Sequence, residues 1–175
     1  MGSTNEETEK RMLTDLKDLI QFASAQVEKI FRKTGEILPM YHAIKSTGET
    51  MIITPPHDCS KDMAVALTKA AFALENVDRY VFLTEAWILD NRKGGPPIDV
   101  DKAKREGLAN HPDRREVIML AAENRRGEIQ TATRFILRPE HGKAKLAPLR
   151  IDDMTNMTSS EGRMVGLLTP HRSHG

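Results

Sequence analysis

Residues 79–89 read RYVFLTEAWIL, an aromatic and β-branched run that is apolar on both alternating faces. Val81, Leu83, Trp87 and Leu89 fall on one side; Tyr80, Phe82, Ala86 and Ile88 fall on the other. A strand with two apolar faces belongs in the middle of a sheet, with something packed on each side. Upstream, 37–44 and 50–54 read as two strands joined by KSTGE (45–49), whose glycine suits a turn that needs a positive φ. Pro55 and Pro56 end the second strand, because proline cannot donate to a ladder. Downstream, 115–123 and 128–138 read as a further pair around NRRG (124–127), with 143–149 as a short last strand. On the 128–138 strand, Ile129, Thr131, Thr133, Phe135 and Leu137 are expected to be buried, and Gln130, Arg134 and Arg138 wet.

Elsewhere the apolar period is helical. Leu13, Leu16, Ile20, Ala23, Val27 and Ile30 share one stripe, predicting a helix over 6–34 with Thr4 and Glu7 as a capping box and Gly35 as its stop. A second helix is expected over 60–75, capped by Asp58 or Ser60, with Ala64, Leu67, Ala71 and Leu74 facing inward. Residues 90–113 form a long insertion around GGPP (94–97), with a charged helical turn over 101–106. From Asp152 onward Met, Thr, Ser, Gly and charged residues show no periodicity, so 152–175 reads as a flexible, disordered tail in which Met164–Leu168 is the one candidate docking segment. The order α-β-β-α-β-β-β predicts a single α+β domain over 1–151, a mostly antiparallel sheet of five or six strands with helices packed on it.

The chain has 175 residues, enough for one domain with a core of its own. No apolar run approaches the length of a bilayer span, and the polar, acidic start lacks the pattern of a secretory signal. Cys59 is the only cysteine, which excludes an internal disulfide and a thiolate metal site within one chain. These features predict a cytoplasmic protein with no membrane contact. Net charge is only +1, yet residues 102–150 carry 12 Lys and Arg against 6 Asp and Glu. A surplus of that kind suits phosphates if the cations share a face.

Two residues are weak catalytic candidates. Glu85 lies among Leu83 and Trp87 on an apolar strand face, where a carboxylate must be paired, protonated or set in a cavity. His42 lies on the first hairpin and could serve such an acid. HDCSKD (57–62) gathers potential ligands before a helix, but paired histidines and a second cysteine are missing, so no metal and no cofactor is expected. Cys59 has only His57 near it in sequence, and His171 and His174 lie at the chain end. There is no phosphate-cradling glycine loop and no serine nucleophile elbow. Trp87, Arg115, Arg134 and Arg138 are the candidate binding residues, although Phe135 is the only aromatic within the basic segment.

RYVFLTEAW (79–87), HPDRREV (111–117) and RFILRP (134–139) together resemble small α+β proteins of bacteria and their phages that carry no assigned activity. The resemblance covers 37–150 and implies an origin, not a mechanism. Three functions are therefore weighed. The first is a non-enzymatic protein-binding or adaptor protein, acting on a protein partner or as a homodimer. The second is a nucleic-acid-binding protein using the basic 102–150 surface, and the third an enzyme with a pocket around Glu85 and His42.

Overall fold

The computed structural model describes residues 15–89, 99–107, 111–152 and 166–168. Its strands are β1 (Met40–Lys45), β2 (Thr50–Ile53), β3 (Val77–Leu89), β4 (Arg114–Asn124), β5 (Ile129–Leu137), β6 (Lys145–Leu146) and β7 (Arg150–Ile151). They form one antiparallel sheet in the order β2-β1-β3-β4-β5-β6, with β7 also paired to β5. The fold is α+β, and β3 is central as its two apolar faces require: Tyr80, Val81, Phe82 and Leu83 are all buried.

One face is covered by α1 (Leu16–Thr34). Leu16, Leu19, Ile20, Ala23, Val27 and Phe31 lie against Ile44, Val81, Leu83, Ile118, Leu120, Ala132 and Ile136. The helix does not run unbroken from Glu6 as the spacing predicts. Asp15 is extended (φ −109°, ψ 150°) and its carboxylate accepts the Lys17 N–H at 3.2 Å, so a new N-terminus begins there. The Thr4–Glu7 box lies outside the described residues. At the other end Gly35, at φ 78°, donates its N–H to the Phe31 carbonyl at 2.8 Å, the left-handed stop the glycine was expected to supply.

The opposite face carries α2 (Lys61–Leu74), capped by Ser60, whose hydroxyl accepts the Met63 N–H at 3.2 Å. The predicted inner stripe is wrong by a rotation. Thr68 and Phe72 are buried, whereas Leu67 is 47% and Leu74 84% exposed. An alanine-rich helix offers several weak apolar stripes, and the Phe72 ring decides between them by stacking on Tyr41 and Tyr80 at 5.4 and 5.0 Å. Thr68 tolerates burial because its hydroxyl donates to the Ala64 carbonyl at 2.8 Å.

The faces of β5 are also reversed relative to expectation. Ala132, Arg134 and Ile136 are buried under α1, while Leu137 is 53% exposed. The charged helical turn of the insertion is present as α3 (Val100–Glu106), capped by Asp99. Within the expected tail, Leu167 and Leu168 are 3% and 8% exposed and join the core on the α2 face, as a docking segment would. The rest of that tail, 153–165 and 169–175, lies outside the described residues. Among the described residues no helix is long and apolar enough to cross a membrane.

Candidate functional site

The end of the sheet formed by β1 and β2 is only partly covered by α1, and a groove of about 410 Å³ runs between them. Leu19, Phe22, Gln26 and Ile30 supply its helical wall, a stripe adjacent to the buried one. His42, Ile44, Thr50 and Ile52 supply the sheet wall, because register pairs His42 with Ile52 and Ile44 with Thr50 on the same face. The rim is apolar and open: Phe22 is 36% and Ile52 64% exposed. Beside it, β2 ends the sheet, and no described strand pairs with its outer edge.

His42 forms the floor. The residue is 7% exposed, its ring lies edge-on to Phe22 at 6.3 Å, and its Nε2 has no hydrogen-bond partner among the described residues. A buried ring nitrogen left without a partner costs about 1–3 kcal/mol. Burial pushes the imidazole below its ordinary value near 6.5. The unfolded chain then binds the proton more readily than the folded one. The stability from a neutral His42 is complete above about pH 6.5 and is lost as the pH falls below it. Thermal unfolding across pH 7.5 to 5 should show a declining midpoint that His42→Gln flattens. Parallel curves for the two proteins would contradict this.

Glu85 and His42 do not meet. Register sets Val81 opposite His42, and Glu85 is four residues further along β3, roughly 13 Å away. Glu85 Oε1 instead accepts the Ile37 N–H at 2.7 Å, fixing the segment that leads from α1 into β1. The partner this carboxylate needs is thus a backbone amide. His57 is 85% exposed beside Asp58, and the Cys59 thiol has the Pro56 carbonyl at 3.9 Å. Among the described residues no three His, Cys, Asp or Glu side chains gather as a metal site would need.

The basic segment does not assemble into one stripe. Arg134, expected on a wet face, is 6% exposed. Its guanidinium donates to the Ala147 carbonyl at 2.7 Å, to Glu28 at 3.0 Å and to Ser24 Oγ at 3.4 Å. Arg125 ties the β4–β5 turn to the Val77 carbonyl and Asn76, each at 2.7 Å. Arg138 pairs with Glu116, and Arg126 with Glu128. Arg115 lies on the opposite face of the sheet from Arg138, since β4 side chains alternate. Trp87 is 45% exposed, and the Arg114 guanidinium sits over its ring at 4.6 Å. Of the four candidate binding residues, Trp87 and Arg138 thus share the α1 side of the sheet at its far end, and Arg134 is interior.

No family model, no curated protein and no solved structure matches this chain. The functional reading therefore rests on the groove itself. Sequence reasoning found His42 but not Phe22, Gln26 or Ile52. The readable signal was Met51-Ile52-Ile53, three apolar residues in a strand with no charge to blunt its edge.

Proposed function

We propose that this is a non-enzymatic binding or adaptor protein that holds an extended apolar segment of a partner protein along β2. The segment adds a strand to the open edge, and its inward side chains enter the groove between Phe22, Ile30 and Ile52. Main-chain hydrogen bonds to β2 provide affinity. The groove selects branched or aromatic side chains. The edge of β2, which no described strand pairs, lying beside an open apolar groove is the observation that carries this reading. The dispersal of the arginines over both faces favours it over nucleic-acid binding, and the separation of Glu85 from His42 favours it over an enzyme.

Affinity capture from bacterial lysate, with and without nuclease, tests this when Phe22→Asp is run beside the wild type. A protein recovered after nuclease by the wild type, and at least about tenfold depleted with Phe22→Asp, is expected, since an aspartate in the groove must be desolvated by any occupant. Equal recovery by both proteins, or recovery of nucleic acid alone, would overturn the reading.

A further inference from the structure

On the α2 face, across the sheet from the β2 groove, the chain binds part of itself. Gly166, Leu167 and Leu168 lie over Tyr41, Phe72, Tyr80 and Phe82. The Gly166 N–H donates to Glu123 Oε2 at 2.7 Å, and that same oxygen accepts the Tyr80 hydroxyl. Glu123 is 5% exposed, and no described Lys, Arg or His lies within ion-pair distance of it. A buried carboxylate without a cation depends on such donors.

We propose that this is a second peptide-binding site, filled at rest by the chain's own Gly-Leu-Leu segment and open in trans to another protein's segment of the same chemistry. That chemistry is a small residue followed by two branched aliphatic ones. Everything that holds residues 166–168 is generic to such a peptide: a backbone N–H for Glu123, and two aliphatic side chains for the ring cluster. The small residue is specified because Gly166 sits at φ 72°, a left-handed conformation that glycine adopts without cost.

The chain length fits a removable occupant. Asp152 is fixed beside β5, where its N–H donates to the Thr131 carbonyl at 3.0 Å, and thirteen residues separate it from Gly166. Register sets Glu123 opposite Ile129, two residues along β5 from Thr131, so the gap to be spanned is roughly 12 Å. A connection of that length can reach about 45 Å. The own segment therefore competes at an effective concentration on the order of millimolar, which an external peptide must overcome. This site is independent of the β2 groove and stands or falls without it.

The test uses the full-length chain carrying Leu167→Asp and Leu168→Asp, and a fluorescein-labelled synthetic peptide of residues 160–172. The peptide should bind the variant at least about tenfold more tightly than the wild type, whose own segment blocks the site. The same peptide with both leucines changed to aspartate should bind neither protein. Equal binding to both, or no binding to a folded variant, overturns the proposal. Hydrogen exchange on the wild type keeps the question decidable if the variant does not fold. The amides of 166–168 should exchange at least about tenfold faster than those of Val81–Leu83, through local release. Exchange of both sets at a single common rate would overturn it.

Discussion

Arg134→Ala is expected to destabilise the protein by about 3 kcal/mol, because a buried guanidinium bonded to three groups is lost and their acceptors are left unmatched. For a chain of this size that is a fall of roughly 10 °C in the thermal midpoint. The guanidinium joins β5 to α1 through Glu28 and Ser24, and to the segment before β7 through Ala147. Its loss leaves Glu28 with Arg32 alone; Arg134 first and Arg32 second hold that carboxylate below the usual carboxylate range. Glu28→Gln alone should cost less, because Arg134 keeps its contacts with Ala147 and Ser24 and the new amide oxygen can still accept from it. The two substitutions together should cost less than the sum of the singles, because they share one interaction. Denaturant unfolding of the four proteins checks this. A wet arginine on a phosphate-binding surface would give a change within about 0.5 kcal/mol.

Phe72→Ala is expected to cost about 3–5 kcal/mol, as large aromatic deletions from packed sites do. The ring is 1% exposed and bridges α2 to Tyr41 and Tyr80, and only Thr68 is buried beside it on the helix. The damage should therefore concentrate in α2. Hydrogen exchange should accelerate across 61–74 far more than across Val81–Leu83, which are packed under α1 as well. Leu67→Ala and Leu74→Ala, on the outer stripe, should change stability by less than about 0.5 kcal/mol. Uniform acceleration over the whole sheet, or a large effect at Leu74, would contradict this packing.

What the sequence shows depends on how local the deciding physics is. The β3 strand was legible because Tyr80 to Leu83 is apolar at every position, and only a sheet centre accommodates that. Ser60 and Gly35 were legible as helix ends because capping is a matter of a few neighbouring backbone groups. The faces of β5 were not, since the burial of Arg134 depends on Ser24 and Glu28, more than a hundred residues away. The rotation of α2 escaped for a related reason: the two rings that orient Phe72, Tyr41 and Tyr80, belong to β1 and β3. Glu85 was rightly marked as needing a partner, but a backbone N–H leaves no trace in the sequence that would name Ile37. The groove itself has no local signature, because its walls come from α1 and a hairpin brought together only by the fold.

The most direct test of the account is hydrogen exchange on the protein alone and in complex with the protein recovered by affinity capture. Protection should rise across β2, Thr50–Ile53, and along the groove-lining turns of α1 from Phe22 to Ile30, with little change at Arg114, Arg115 or Arg138. Protection confined to the 114–150 surface, with β2 and α1 unchanged, would contradict the claim that this groove is where the partner binds.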